Sequence, residues 1–165
     1  METARPTARD QQPLWRLCNV LMAAFLTMAA YVQINDPDAE IWIVIYVIPA
    51  ALIFLLSINP DIAGHVIWRT MSALHGAVCV IGASYLLLSG NIRNILHQEE
   101  GRELSGLVII AVWMLLCKDS ARAAVGGVRL FVAVSVSVLP LLVWIYIYVD
   151  KEMRTSWPQH CRTAI

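Results

Sequence analysis

Acidic and histidine side chains that could bind a metal ion are concentrated in a few short polar stretches of this 165-residue chain. Asp36 and Asp38 lie in one stretch, and His97, Glu100 and Glu103 lie in another. His97 and Glu100 are three residues apart, so both share one face if a helix covers them. Carboxylates and imidazoles bind divalent metals, and three such ligands with an open position activate a bound water.

Two interpretations of these five residues stay open. In the first, they form a divalent metal site at one membrane face, and the protein is a metal-dependent enzyme acting on a lipid-like substrate. In the second, Asp36 and Asp38 cap a helix, and the glutamates belong to a solvated loop. We favour the second, because no compact ligand motif such as His-Glu-x-x-His appears. No motif assigns a catalytic or cofactor-binding residue, and no cofactor is expected.

Five long apolar runs would position these residues. The chain is 59% hydrophobic and 15% charged, against roughly 25% charged residues in a soluble domain. About 20 apolar residues in a helix cross a hydrocarbon core of about 30 Å. We therefore predict an all-α polytopic membrane helix bundle, one integral membrane domain over residues 1–165 with short loops and short polar termini. Its five transmembrane helices are predicted at about residues 14–34, 41–58, 66–88, 96–117 and 129–149.

The fourth run is the shortest. Its apolar part, residues 104–117, covers only about 21 Å at 1.5 Å per residue. A spanning helix would therefore have to begin near Leu96 and place residues 97–103 at the interface.

Within the apolar runs themselves, residues 17–34, 41–58, 66–88, 104–117 and 130–149, the one charged residue is Arg69. It lies one turn from the start of the third run, where its side chain can extend to the headgroups. The net charge is zero, so no basic surplus supports nucleic-acid binding. The basic residues leave the membrane orientation open. Eight of the twelve acids share one predicted face: Asp36, Asp38, Glu40, Glu99, Glu100, Glu103, Asp150 and Glu152.

Helix boundaries are also indicated locally. Asp36 can cap the second helix, and Pro37 suits its first position. Pro49 and Pro140 lie inside apolar runs and predict kinks, beside which grooves could form.

His75 is the most prominent ionisable side chain inside the predicted spans. Such a group is a functional candidate, as a proton relay or a substrate contact. The small residues Ser72, Ala73, Gly76 and Ala77 surround it and indicate a helix-packing surface, which is the interpretation we favour. The other intramembrane polar residues are interpreted as interhelical hydrogen-bonding groups: Asn19, Thr27, Gln33, Ser84, Ser135 and Ser137.

The last three residues form a pattern that PDZ domains bind by strand addition. Thr163 and Ile165 would serve as that ligand only if the carboxyl terminus faces the cytosol.

Several stretches resemble the transmembrane protein 220 family. They include Asn35-Asp36-Pro37-Asp38-Ala39-Glu40, Asn94-Ile95-Leu96-His97 continuing through residues 99–106, and Lys151-Glu152-Met153-Arg154 with Ser156-Trp157-Pro158. The resemblance covers almost the whole chain after the first dozen residues and is that of a vertebrate member. It implies a small multi-pass membrane protein and supplies no activity, substrate or catalytic residue.

Together these patterns predict a multi-pass membrane protein, with no organelle assigned. Its partners are the lipid bilayer and a lipid ligand or partner membrane protein, bound in a groove beside Pro49 or Pro140. Whether the protein is an enzyme stays open, and we favour a non-enzymatic membrane module. A transporter is least favoured, because the five runs show no inverted repeat.

Overall fold

A computed structural model describes residues 8–89, 99–118 and 127–149. Five α-helices and two short 3-10 turns account for nearly all of these residues, and none of the residues described forms a strand. The helices are α1 (Ala8–Val32), α2 (Ala39–Ile58), α3 (Val66–Ser89), α4 (Glu99–Lys118) and α5 (Gly127–Val149), with 3-10 turns at Gln33–Asn35 and Pro60–Gly64. The predicted all-α class with five helices is confirmed.

Three stretches of the described chain are helical, long and apolar enough to cross a membrane: Gln12–Asn35, Ala39–Ile58 and Val66–Leu88. α5 adds a shorter apolar stretch at Gly127–Val143. α4 begins at Glu99 among the described residues. Its predicted start near Leu96, and His97 with it, lie outside them. The prediction of a multi-pass membrane protein is confirmed.

Contacts divide the described residues into two compact units. The first unit comprises residues 8–59 and 127–149, and therefore holds α1, α2 and α5. The second unit comprises residues 60–89 and 99–118, and therefore holds α3 and α4. The single integral membrane domain stays a prediction.

In the first unit, α1 packs against both α2 and α5. The Arg129 guanidinium carbon of α5 lies 5.2 Å from the centre of the Trp15 ring of α1, and Ser137 of α5 lies beside Cys18 of α1. α1 buries one stripe of residues spaced three or four apart, which is the spacing of a single helix face. The stripe consists of Trp15, Cys18, Asn19, Met22, Ala23, Leu26 and Ala30.

The start of α2 differs from the capping prediction. The helix begins at Ala39, so Asp38 is the N-cap and Pro37 lies before the helix. The Asp36 carbonyl accepts a hydrogen bond of 3.2 Å from the Ala39 amide, which closes the turn. The Asp38 side chain makes no capping bond to the helix backbone. Its Oδ2 instead accepts a 2.8 Å hydrogen bond from the indole Nε1 of Trp42. The indole therefore occupies one oxygen of the carboxylate.

In the second unit, α3 and α4 form an antiparallel pair. A Cβ atom on Gly76 would lie 3.6 Å from Met114 Cβ, and one on Gly82 would lie 3.3 Å from Leu107 Cδ1. Residues with higher numbers on α3 therefore contact residues with lower numbers on α4, as expected for antiparallel helices. Glycines let the two backbones approach closely, as is common between helices in membranes.

Candidate functional site

A groove of about 730 Å³ lies along α3 and α4 in the second unit. That volume falls within the range of about 300 to 1,000 Å³ typical of small-molecule sites. Its lining is mainly apolar, and it contains no Asp, Glu or His among the residues described. Ser72, Ala73, Gly76, Ala77, Ala111 and Met114 are among the small and flexible residues that line it.

Small residues on α3 account for the groove. Ser72 and Gly76 pack against α4, where the Ser72 hydroxyl donates a 3.2 Å hydrogen bond to Met114 Sδ. Ala73 and Ala77 are exposed, and their methyl groups leave open space beside the helix. Ser72 and Gly76 therefore lie where α3 meets α4, and Ala73 and Ala77 line the exposed part of the groove.

Two basic side chains stand at one end of the groove. Arg69 lies in the first turn of α3, and Lys118 is the last residue of α4. Because the two helices are antiparallel, these positions belong to the same end of the pair. Both side chains are exposed and both line the groove. The site therefore combines an apolar length with a cationic end.

His75 does not line this groove. It is 8% exposed and belongs to the buried face of α3, together with Trp68, Cys79 and Ala83. That position agrees with the packing interpretation, which stays a prediction.

The predicted metal-binding residues fall in different units. Asp36 and Asp38 precede α2 in the first unit, whereas Glu103 lies near the start of α4 in the second. His97 and the side chain of Glu100 lie outside the described residues. Within the ranges that the structure covers, no group of three or more His, Cys, Asp or Glu side chains is placed to hold a metal ion. The metal site stays a prediction, and so does a PDZ ligand at Thr163 and Ile165, which also lie outside these ranges.

Several polar residues predicted to bond between helices form a hydrogen bond within their own helix, and the interhelical bonds stay a prediction. The Asn19 amide donates to the Trp15 carbonyl at 3.0 Å, the Thr27 hydroxyl to Ala23 at 2.8 Å, and the Ser84 hydroxyl to Val80 at 2.8 Å. A carbonyl one turn earlier is the nearest acceptor for such side chains, which is why they reach it first.

The pairing of Arg69 with Lys118 was not predicted from the sequence. From the sequence, Arg69 is explained by its nearness to the headgroups, and Lys118 is not singled out. The available signal was that Arg69 lies in the first turn of the third predicted span and Lys118 directly follows the fourth, so a helical hairpin would bring them to one end.

These helices define an α-helical, multi-pass integral membrane protein. Residues 25–119 match the family described as "Transmembrane family 220, helix". The chain is also 62% identical over 159 residues to "Transmembrane protein 220" of Xenopus laevis, an alignment that covers 94% of this chain and 86% of the relative. The chain therefore belongs to the transmembrane 220 family, as the resemblance suggested. No solved structure matches it.

Proposed function

We propose that this protein is a non-enzymatic membrane module that binds a lipid in the groove of α3 and α4. The observation that supports it is the apolar groove on a helix of membrane-spanning length and composition. Exposed side chains on α3 include Leu74 and Ile81, which also line the groove. An acyl chain is chemically matched to such a surface, and ordering it there costs little desolvation of polar groups.

The chemistry of the lining favours binding over catalysis. General acid-base catalysis needs a titratable group near the reacting atoms, most often a His or a carboxylate. The described lining holds neither, and its hydroxyl groups belong to Thr70 and Ser72. The alternative, a metal-dependent enzyme using Asp36, Asp38, His97, Glu100 and Glu103, would act elsewhere and stays a hypothesis.

The proposed site differs in place from the grooves expected beside prolines. α2 continues through Pro49 and α5 continues through Pro140. Neither proline lines the groove described here. We therefore place the proposed lipid contact on the helix pair that contains no proline.

Native mass spectrometry of the full chain, extracted in a mild detergent, tests this function. Ala77→Phe fills the groove from an exposed position, so it should remove retained lipid without disturbing the packed face. Ala51→Phe is the matched control, because Ala51 is exposed on α2 and does not line the groove. The wild type and Ala51→Phe should keep the lipid.

Two outcomes would overturn the proposal. Lipid retained equally by Ala77→Phe would show that the groove does not bind it. A specific polypeptide retained in place of lipid, and lost in Ala77→Phe, would identify the module as a partner-binding one.

A further inference from the structure

We infer that the groove binds an anionic glycerophospholipid, with its phosphate headgroup between Arg69 and Lys118 and one acyl chain along α3. This inference rests on the proposed lipid binding and adds the chemical class of the lipid and its orientation.

The length of the groove fits one leaflet. Along α3 its lining extends from Val66 to Ile81, which is about 22 Å at 1.5 Å per residue, and the part from Arg69 to Ile81 covers about 18 Å. Half of a hydrocarbon core of about 30 Å is about 15 Å. Arg69 lies in the first turn of a helix that is long enough to span, so the cationic end falls at the interface. A lipid of that leaflet would place its headgroup there and its acyl chain beside Ala73 and Ala77.

The charges at the end of the groove select among headgroups. Arg69 presents a planar guanidinium that can donate two hydrogen bonds to one phosphate, and Lys118 adds a compact positive charge. Among the described residues that line the groove, the charged ones are Arg69 and Lys118. A zwitterionic headgroup brings its own cation to this end and gains less from two basic residues than an anionic one does. Basic residues at a membrane surface attract anionic lipids through the same electrostatic interaction.

Phosphate oxygens are also present in soluble phosphate esters, but the groove argues for the lipid. Most of its lining is apolar and lies deeper along the helices than Arg69. A ligand without acyl chains would leave that surface unfilled, so both parts of the ligand are needed to use the site.

Lipid competition on the full-length protein in detergent tests the inference. Phosphatidylglycerol and phosphatidylcholine with identical acyl chains are added in equal amounts, and bound lipid is measured by native mass spectrometry. We expect the wild type to prefer phosphatidylglycerol. Arg69→Gln and Lys118→Gln should each weaken its binding about fivefold, and the double variant about 25-fold, with phosphatidylcholine little changed.

Two control variants separate charge from structure. Arg102→Gln removes an exposed cation of α4 that does not line the groove, and it should leave the preference unchanged. Arg69→Lys keeps the charge and should retain most of the binding. If a glutamine variant does not fold, the inference is tested by whether the wild type prefers phosphatidylglycerol to phosphatidylcholine.

The outcomes distinguish this inference from the function on which it rests. If both lipids bind equally and Ala77→Phe releases both, lipid binding stands and the anionic inference is overturned. If neither lipid binds, both proposals fail. If sn-glycerol 3-phosphate displaces the bound lipid at an equal concentration, the acyl chain contributes nothing and the inference is overturned.

Discussion

The Ser72 hydroxyl donates a hydrogen bond to Met114 Sδ across the interface of α3 and α4, with an Oγ to Sδ distance of 3.2 Å. Met114 Cβ also faces Gly76, and the side chain is 4% exposed. One methionine thus fills the space opposite two small residues and forms part of the groove. The packing of the helix pair and the shape of the proposed site depend on the same side chain.

Met114→Ala should lower the free energy of unfolding by about 2 kcal/mol or more, because it opens a cavity at a tightly packed position. Ser72→Ala should cost only about 0.6 kcal/mol, the average for hydrogen bonds between membrane helices. Denaturant unfolding of the full chain in detergent measures both. Val108→Ala, at an exposed position of α4, is the control and should change little. Equal losses for Met114→Ala and Ser72→Ala would contradict the packing role.

Gly82→Leu should destabilise the second unit by about 1 to 3 kcal/mol through overpacking. Its Cβ would lie 3.3 Å from Leu107 Cδ1, and Leu107 is buried. Adding Leu107→Ala should recover part of the loss, because it returns the space. Thermal melting of the single and double variants measures this. Gly127→Ala is the control, since no atom lies within 4 Å of its added Cβ. A double variant less stable than either single one would argue against this contact.

A double-mutant cycle on Trp15 and Arg129 should give a coupling energy of about 0.5 to 2 kcal/mol, the range for a cation above an indole face. The four unfolding free energies come from the wild type, Trp15→Leu, Arg129→Gln and the double variant. Arg16→Gln removes a neighbouring exposed charge and should show no coupling to Trp15→Leu. Simple additivity of Trp15→Leu and Arg129→Gln would mean that the observed contact contributes no stability.

Much of the helix pattern could be predicted from the sequence, because a segment that crosses a bilayer needs a long apolar run. The side of each helix that is buried could not be predicted in this way. Ile53 is 0% exposed and its neighbour Phe54 is 52% exposed, yet both are strongly apolar. Lipid is as apolar as a protein interior, so hydropathy does not separate the two environments. The groove depends on where Ala73 and Ala77 leave space, and composition does not encode that.

Asp38→Ala should cost about 1 to 2 kcal/mol, because it leaves the largely buried indole of Trp42 without the acceptor it uses. Asp38→Asn keeps a side-chain oxygen and should stay close to the wild type. Thermal melting in detergent compares them. Glu40→Ala, an exposed acid in the first turn of α2, is the control and should cost less. A loss for Asp38→Asn as large as that for Asp38→Ala would point to a role for the charge itself.

Elemental analysis of the detergent-purified full chain tests the metal hypothesis. We expect no stoichiometric divalent metal, and a melting temperature that a chelator does not change, because we favour the capping and loop interpretation. Asp38 already uses one carboxylate oxygen for Trp42. A bound metal in a one-to-one ratio, lost in His97→Ala and in chelator, would instead establish the site.

The cationic end of the groove joins the first turn of α3 to the last residue of α4. During biogenesis, α3 alone presents Arg69 without Lys118, so the complete site exists only after both helices are inserted. A ligand that binds the finished hairpin and not its parts stabilises it by mass action. If the inferred anionic lipid binds there, its concentration in the membrane would set part of the stability of the assembled hairpin.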